Sequence, residues 1–417
     1  MYAIKRSKGC LKFLSLVFLL CFCSNFGFAE ESSVTCKKSK YGGEILGDSK
    51  DTQEFCYFTY KEYPSLKDNN TYMAQALSPE IFKKLKDKKT AYNYTLSNAI
   101  QAGVESSYLV TGIAAGDEFS YEVFRDLMYP VIKNWHGFDP EKEFNKTNLD
   151  PSQIKISKDQ QEKLSKYVSS TRVRAARSVS GLPLPAGMLE GDRAILETLL
   201  KKIISNFKGG LRGTYFPIKD MPEKQAKKLI SRGMLFKEPH VGLQVDSGIK
   251  NYWPNYRGIF INKSEDRLMW VGEEDHIRII AMEEGADIKS VFEKYISLHN
   301  ALKVSFQNEG RRFMYNNRLG FLASCPSNIG TSMRASLMIK LPNLTKNQDR
   351  LKELVKEHGL DLRGGRGTGE SIKYIKNHSD SWDISNKKRI GASEVELIQN
   401  MIEGALKIIE EEEKLNK

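Results

Sequence analysis

A cysteine stands at the mouth of a turn in residues 325–336, which read Cys-Pro-Ser-Asn-Ile-Gly-Thr-Ser-Met-Arg-Ala-Ser. The apolar run 319–323 predicts a strand before this turn, and residues 333–341 predict another strand after it. Arg334 follows Cys325 by nine residues, so a thiol and a guanidinium flank the same turn. An ordinary hairpin with a buried thiol has the same pattern. The turn becomes a candidate site because other charged segments can converge on it.

Paired arginines occur in residues 170–174, Ser-Thr-Arg-Val-Arg. In a strand, Arg172 and Arg174 point to the same face. Two guanidinium groups repel each other unless an anion lies between them, and their forked donors match phosphate oxygens. The alternative is a pair of solvated surface arginines. The segment 363–370, Arg-Gly-Gly-Arg-Gly-Thr-Gly-Glu, adds two arginines on a loop that can fold over a phosphate chain; it is not a Walker A loop.

Three consecutive acids, Glu273, Glu274 and Asp275, follow an apolar strand and precede a second strand that carries Arg278. A carboxylate here can accept a proton from a cationic substrate while Arg278 meets phosphate. As a metal site the segment is weak, because it has one histidine and no His-Glu-x-x-His spacing. A solvated charged turn is the alternative interpretation.

Five or six arginines, a carboxylate cluster and a cysteine suit phosphoryl transfer, in which positioning and charge neutralisation dominate. Magnesium would then be brought by the nucleotide, and we predict no metal site on the protein. The chain has no Rossmann fingerprint, zinc ligand set or Gly-x-Ser-x-Gly motif.

The elements that must position these residues predict two domains. Residues 78–135 read as helices, with Ser78 as a cap, and the third of them, 121–135, is predicted to break near Pro130. The second domain mixes helices with hairpins such as 258–261 with 267–271, which favours an antiparallel sheet covered by helices. We predict a signal peptide (1–29), a loosely structured polar extension (30–75), a helical domain (76–140), a linker (141–165) and a catalytic domain (166–417).

The first 29 residues have a basic start, an apolar core and a Gly-Phe-Ala ending, and they supply four of the net twelve positive charges. This pattern predicts a cleavable secretory signal, with a mitochondrial presequence as the alternative. No later segment is predicted to span a membrane, and the remaining charge favours an anionic ligand over nucleic acid. In an oxidising compartment Cys36 can pair with Cys56. Sequons, compatible with secretion, begin at Asn69, Asn93, Asn145, Asn262, Asn343 and Asn377.

The residues resemble those of the phosphagen (ATP:guanidino) kinases, the family of arginine kinase and creatine kinase. The segment 325–336 matches the family signature, and the likeness extends from about residue 80 to residue 415. Further matches lie at 170–174, 252–258, 270–278 and 382–386. The resemblance implies an α+β fold with a small all-α N-terminal domain and a larger C-terminal domain, an antiparallel sheet flanked by helices. It leaves open whether the protein is a monomer or a dimer.

The family's site residues carry over one by one. Catalysis is assigned to Glu274 as base, Cys325 as a thiolate whose pKa is lowered by Ser327 and nearby positive charge, Arg278 and Arg334. ATP, with its Mg²⁺, is assigned to Ser170, Thr171, Arg172, Val173, Arg174, Arg278, Arg334, Ala335, Ser336, Met338, Arg363, Arg366, Gly367, Thr368 and Asp383. The guanidino substrate is assigned to Val110, Thr111, Gly112, Ile113, Ala114, Glu274, Cys325 and Glu370.

The substrate is expected to be L-arginine, because the loop 106–117 has the length found in arginine kinases. The sequence around this loop has creatine-kinase-like features, and Trp135 stands where arginine kinases carry Tyr and creatine kinases carry Arg. Gly233 and Met338 replace two histidines usually near the adenine, and Ser371 stands in the place of a second carboxylate, with Glu370 beside it.

Taurocyamine is a second candidate substrate. A weakly active relative that binds nucleotide or guanidines without efficient turnover would carry the same motifs. The bacterial protein-arginine kinases also share the catalytic core, but they lack the helical N-terminal domain that residues 76–140 predict here.

Overall fold

The computed structural model describes residues 39–45, 55–364 and 380–415. The predicted signal segment, Cys36, and four loop residues with a predicted role lie outside the described residues; these four are Arg366, Gly367, Thr368 and Glu370. Cys56 is disulfide-bonded. Its partner also lies outside the described residues, so the pairing with Cys36 stays a prediction.

The N-terminal part is a bundle of short helices with a small hairpin. Its elements are β1 Glu44–Ile45, β2 Phe58–Thr59, α1 Tyr72–Ala76, α2 Pro79–Leu85, α3 Leu96–Glu105, α4 Ser120–Val123 and α5 Arg125–His136. The predicted cap is confirmed: the Ser78 side chain accepts from the backbone N–H of Ile81, and Pro79 opens α2. The predicted break near Pro130 is wrong. The chain breaks at Phe124, and α5 continues through Pro130 because its flanking residues are buried in the domain core.

The described part of the extension 30–75 is packed, contrary to the prediction of loose structure. The backbone N–H of Phe58 donates to the Gln101 side chain at 2.8 Å. The backbone N–H of Tyr60 donates to the Ser97 hydroxyl at 3.0 Å. Both acceptors lie on α3, so side chains of the helix hold the extension in place.

The larger C-terminal part carries an antiparallel sheet. Its elements are α6 Lys158–Tyr167, β3 Val168–Arg177, α7 Glu190–Ser205, β4 Gly213–Pro217, α8 Glu223–Ser231, α9 Leu243–Asp246, β5 Gly258–Asn262, β6 Arg267–Val271, β7 Ile277–Glu284, α10 Ile288–Asn308, β8 Tyr315–Asn316, β9 Gly320–Phe321, β10 Met333–Lys340, α11 Pro342–Lys346, α12 Gln348–Glu357, β11 Leu360–Gly364, β12 Ser381–Asn386 and α13 Glu394–Lys414. The strand order is β11-β12-β10-β3-β7-β6-β5-β4, and each neighbouring pair is antiparallel. The predicted α+β fold is confirmed. The predicted linker contains most of α6.

The strands have two different faces because side chains alternate along a strand. Val173, Ala175, Ala335 and Leu337 belong to a large apolar core with residues of α10 and α13. The residues between them on the same strands, such as Arg174 and the serine that faces Arg172, point to the opposite face. At β3 and β10, one face of the sheet is therefore apolar and covered by helices, and the other carries charge.

The helical part and the sheet part share a second apolar core. We call residues 325–336 the cysteine turn. Residues of α3 and α5 pack against Leu319, Leu322 and Ala323, which precede this turn. The fully buried Tyr121 of α4 donates its hydroxyl to the carbonyl of Ala323 at 2.7 Å. The cysteine turn is thus built by both parts of the chain. Among the described residues, no helix combines the length and apolarity that a membrane span requires.

Replacing Tyr121 by Phe should lower the free energy of unfolding by about 1–3 kcal/mol, because it leaves the buried carbonyl of Ala323 without its donor. Denaturant unfolding measures the change. Tyr92→Phe is the matched control, since the Tyr92 side chain is 38% exposed. If Tyr121→Phe and the native protein have the same free energy of unfolding, this hydrogen bond does not stabilise the fold.

Candidate active site

Arginine side chains gather on the open face of the sheet because the strand register aligns them. Arg334 of β10 lies opposite Arg174 of β3, and Ser336 lies opposite Arg172. On the other side of β3, Ala176 lies opposite Arg278 of β7. Four arginines from three adjacent strands, Arg172, Arg174, Arg278 and Arg334, therefore lie on one face of the sheet, which we call the arginine face. The alternation of side chains along a strand predicted this for Arg172 and Arg174.

Two further strands extend this arginine face. Asp383 of β12 lies opposite Arg363 of β11, and the Arg334 guanidinium lies 3.1 Å from the Asp383 carboxylate. Burial would raise the pKa of Asp383, but the charge and hydrogen bond of Arg334 hold it below its ordinary value. Asp383 is thus a buried anion that compensates two neighbouring arginines.

The arginine face carries more positive charge than its carboxylates neutralise. Burial, followed by repulsion from Arg334, Arg172 and Arg278, lowers the pKa of Arg174 well below its usual range. Burial also lowers the pKa of Arg172 to about 10, with Arg334 and Arg278 adding to the effect. The Nε and Nη2 atoms of Arg172 and the Nη2 atom of Arg334 have no hydrogen-bond partner among the described residues. These donors suit an anion with several oxygen atoms.

The three consecutive acids at 273–275, here called the acidic segment, lie beside Arg278. Its Nη1 atom lies 2.8 Å from a carboxylate oxygen of Glu273, and its Nη2 atom lies 2.6 Å from one of Glu274. Burial would raise the pKa of Glu274, but Arg278 and a hydrogen bond from Gln244 leave it below its ordinary value. Burial raises the pKa of Glu273 despite the charge of Arg278. Two adjacent carboxylates therefore differ, and Glu274 is the more readily ionised.

The third acid, Asp275, supports the cysteine turn. Its Oδ1 atom accepts from the backbone N–H of Ser324 at 3.1 Å, one residue before Cys325. Burial raises the pKa of Asp275 to about 7, although the nearby Arg278 opposes this. The next residue, His276, is buried and accepts from the backbone N–H of Val179 through Nδ1, so its part is structural.

The Cys325 thiol lies between the two parts of the chain. Its Sγ atom is 3.0 Å from the Ser327 hydroxyl and 3.6 Å from the Thr111 hydroxyl of the loop 106–117. Burial, with a further contribution from the charge of Glu274, raises the pKa of Cys325 to about 11. The predicted lowered pKa is therefore wrong for this structure. The thiol is buried beside a carboxylate, and the hydrogen bonds from Ser327 and Thr111 do not offset these effects.

The turn after Cys325 is held tightly. Residues Pro326–Asn328 form a single 3₁₀ turn. Gly330 has φ +92°, and a Cβ atom there would lie 2.2 Å from the carbonyl oxygen of Arg389, so only glycine fits. The Asn328 amide donates to Glu274 at 2.9 Å and accepts from the Arg389 guanidinium. Asn328 thus connects the turn to the acidic segment.

A cavity of about 440 Å³ lies over the arginine face. Its lining includes Trp135, Arg174, Glu274, Arg278, Asn328, Arg334, Arg363 and Arg389. Among these lining residues, Asn328 and Arg389 were not predicted individually as site residues. Gln244, which donates to Glu273 at 3.1 Å, was not predicted either. The signature segment contained Asn328, whereas Gln244 and Arg389 are isolated polar residues with no motif of their own.

Three predicted nucleotide-binding residues need correction. Val173 and Ala335 are buried in the helix-covered core, and Thr171, on the same side of β3, donates its hydroxyl to the Gly285 carbonyl at 2.7 Å. Their side chains point away from the arginine face because they occupy the alternate strand positions. A nucleotide contact through these side chains is therefore not supported.

The remaining predicted nucleotide-binding residues that the structure describes lie on or beside the arginine face. Ser170 and Met338 are register partners across β3 and β10, and Met338 also faces Asp383. A Cβ atom at Gly233 would lie 3.8 Å from the Arg172 guanidinium, so this position also borders the face. Of the predicted substrate loop, Val110 is 55% exposed, whereas the next four residues, 111–114, are buried.

Comparison with known proteins identifies the family. The sequence model of the ATP:guanido phosphotransferase C-terminal catalytic domain matches residues 195–415, and that of the N-terminal domain matches residues 67–133. The M-type creatine kinase of Canis lupus familiaris is 36% identical over 376 residues, covering 89% of this chain and 96% of the relative. The testis isozyme of creatine kinase from Oncorhynchus mykiss is 35% identical over 361 residues, covering 86% and 92%.

Solved structures agree with the sequence relatives. A lombricine kinase superposes with a TM-score of 0.78 at 34% identity, covering 85% of this chain and 95% of that chain. The duplicated taurocyamine kinase of Schistosoma mansoni superposes with a TM-score of 0.72 at 33% identity, covering 84% of this chain and 47% of that one. With both family domains matched and these relatives aligned over most of its length, the chain belongs to the ATP:guanido phosphotransferase family, the phosphagen kinases.

Proposed function

We propose that this chain transfers the terminal phosphoryl group of ATP reversibly to the guanidino group of L-arginine. The observation that carries the proposal is the position of Glu274. Its carboxylate lines the cavity over the arginine face, beside Arg278. Its negative charge contributes to the raised pKa of Cys325. The same carboxylate therefore borders a site for a polyanion on one side and a site for a planar cation on the other.

We assign the phosphates of ATP to the arginine face. Buried guanidinium nitrogens of Arg172 and Arg334 have no hydrogen-bond partner among the described residues, and phosphate oxygens would satisfy them. A polyphosphate would also relieve the repulsion that lowers the pKa of Arg174. Arg363 borders the same cavity. The predicted contribution of Arg366 lies outside the described residues.

Mg²⁺ would enter with the nucleotide and neutralise part of the phosphate charge. Within the described ranges, no group of three or more His, Cys, Asp or Glu side chains is placed to hold a metal. The contribution of the chain itself is the set of fixed guanidinium groups, which stabilise the transferring phosphoryl group as its charge develops. Because these groups are already oriented by the sheet, little reorganisation is needed during transfer.

We assign Glu274 as the base. Since Arg278 keeps the pKa of Glu274 below its ordinary value, despite the opposing effect of burial, its carboxylate is ionised at neutral pH and can face a guanidinium. As the guanidino nitrogen attacks phosphorus, a P–N bond forms and the P–O bond to ADP breaks, and ADP leaves with the electron pair. The proton lost from nitrogen goes to Glu274. If Arg278 turns toward phosphate, its hold on Glu274 weakens and the carboxylate becomes a better base.

Cys325 contacts the other side of the guanidinium in this proposal. Since burial raises the pKa of Cys325 to about 11, the thiol is protonated at neutral pH. A cation placed between Cys325 and Glu274 would lower that pKa by offsetting the carboxylate charge. Thiolate formation is therefore coupled to substrate binding.

The reactivity of Cys325 toward iodoacetamide should rise about tenfold per pH unit between about pH 7 and pH 10, because the thiolate is the reactive form and its fraction grows up to the pKa. Peptide mass spectrometry follows the rate at this residue. Glu274→Gln should react faster at a fixed pH, since it removes a negative charge that raises the pKa. Glu80→Gln, at an exposed position, is the control. A rate that is already constant by about pH 8 would refute the raised pKa.

The loop 106–117 supports a substrate with an anionic end. Thr111, which contacts Cys325, and the next two residues are buried, and their backbone N–H groups donate to no acceptor among the described residues. Buried N–H groups normally find an acceptor. The carboxylate of L-arginine is one such acceptor, and the sulfonate of taurocyamine is another, which keeps taurocyamine as the second candidate. Similarity to a taurocyamine kinase structure also favours the second candidate.

Replacing Arg334 by Ala should lower kcat by about 10²–10³-fold, the usual effect of removing one fixed donor to the transition state. Steady-state kinetics with varied ATP measures it. Arg232→Ala is the matched control, because the Arg232 side chain is 42% exposed and pairs with an exposed Glu265. An increase in the KM for ATP at unchanged kcat would instead make Arg334 a ground-state binding residue.

A coupled assay of ATP consumption against L-arginine, taurocyamine, creatine and lombricine tests the substrate. We expect the highest kcat/KM with L-arginine. Preference for another member would refute arginine specificity while leaving the phosphoryl-transfer chemistry intact. No turnover with any member, together with nucleotide binding by calorimetry, would favour a binding protein.

A further inference from the structure

The sequons offer a site that the phosphoryl-transfer chemistry does not use. Six Asn-x-Ser/Thr triplets occur in the chain. Five begin within the described residues, and the one at Asn377 lies outside them. A glycan attaches to the side-chain nitrogen of asparagine and must extend into solvent, so the folded structure decides which asparagines are compatible with one.

Two of the five asparagines are buried. Asn262 is 2% exposed, and its amide nitrogen donates both to the Gly210 carbonyl at 3.0 Å and to Asp266 at 2.8 Å. Asn145 is 9% exposed, and its amide nitrogen donates to the Lys146 carbonyl. A glycan at either position would displace packed protein and break these hydrogen bonds.

Two more asparagines are half-buried and hold neighbouring elements together. The Asn69 amide donates to the carbonyl of Gly103 at 2.7 Å. The Asn343 amide donates to the Glu412 carboxylate at 2.9 Å. Each of these amides has its nitrogen directed at a protein partner, so a glycan there would strain a packed contact.

Asn93 differs from the other four. It lies with two exposed neighbours, residues 91 and 92, on a turn closed by the hydrogen bond from its own N–H to the carbonyl of Thr90 at 3.0 Å. Its φ of +61° is a left-handed conformation that asparagine accepts more readily than most residues. Its side-chain amide has no partner among the described residues. Among the five described sequon asparagines, Asn93 is the one with an exposed side chain.

An exposed aromatic pair lies beside this asparagine. Tyr92, which precedes Asn93, stacks on Phe119 with ring centroids 6.3 Å apart, and the two residues are 38% and 44% exposed. Exposed aromatic rings leave apolar surface in water. The C–H face of a sugar attached next to Tyr92 would cover part of this surface.

We propose that Asn93 is an N-glycosylation site, occupied when the predicted N-terminal signal delivers the chain to the secretory pathway. The sugar donor is a lipid-diphosphate-linked oligosaccharide. The Nδ2 atom of Asn93 forms a bond to the anomeric carbon of that donor. The bond from the anomeric carbon to the diphosphate oxygen breaks, the lipid diphosphate leaves with the electron pair, and the amide loses one proton to the transferase.

The test uses the full chain with its own N-terminus, expressed in insect cells. Secreted protein is treated with a glycan amidase, which converts a glycosylated Asn to Asp, and the peptides are mapped by mass spectrometry. We expect conversion at Asn93 and none at the other four described sequons. Asn93→Asp, which keeps the shape of the side chain and tolerates a positive φ, should abolish the loss of intact protein mass that amidase treatment causes, because aspartate cannot carry the glycan.

Two variants serve as controls. Asn134→Asp changes an exposed asparagine outside any sequon and should leave the glycan on Asn93. Thr95→Ser keeps both the sequon and a residue able to cap α3, so the glycan should be retained. Secreted protein without a glycan at Asn93, a glycan at one of the four hydrogen-bonded asparagines instead, or retention of the whole chain in the cytosol would each overturn the proposal.

Discussion

Repulsion among buried guanidinium groups on one sheet face is the constraint on which the rest of the site depends. Arg334 and Arg174 are direct register partners, and Arg172 and Arg278 lower the pKa of Arg174 further, after burial itself. Such charges are costly to bury unless anions accompany them. The fold supplies carboxylates at the margins of the cluster and leaves its centre positive. The carboxylates reduce the repulsion within the folded sheet, and the uncompensated positive charge at the centre of the cluster can attract a polyanion.

The three consecutive acids show how neighbouring groups acquire different tasks. Arg278 binds both Glu273 and Glu274, yet the pKa of Glu273 is raised, mainly by burial, and that of Glu274 is lowered. Asp275 points elsewhere and holds the backbone before Cys325. Differences in solvation and hydrogen bonding therefore separate a charge partner, an ionised carboxylate and a structural support within three residues.

The shared face of Arg172 and Arg174 was predictable from the sequence, because successive side chains of a strand point to opposite faces and these two residues are two positions apart. The same rule excludes Thr171 and Val173, which were predicted from a contiguous motif although alternate residues point apart. The raised pKa of Cys325 was not predictable, since it depends on burial and on the nearness of Glu274. Arg389 likewise reaches the site only through the packing of the segment after β12 against the cysteine turn.

The loop 106–117 of the helical part is hydrogen-bonded to the cysteine turn of the sheet part. The backbone N–H of Ala115, in the same loop as Thr111, donates to the carbonyl of Ser324 at 2.7 Å, while the N–H of Ser324 donates to Asp275. Thr111 itself touches Cys325. Loop, thiol and acidic segment are therefore linked through consecutive hydrogen bonds. Because Thr111 and Cys325 are in direct contact, a substitution that moves this part of the loop is expected to move the thiol as well.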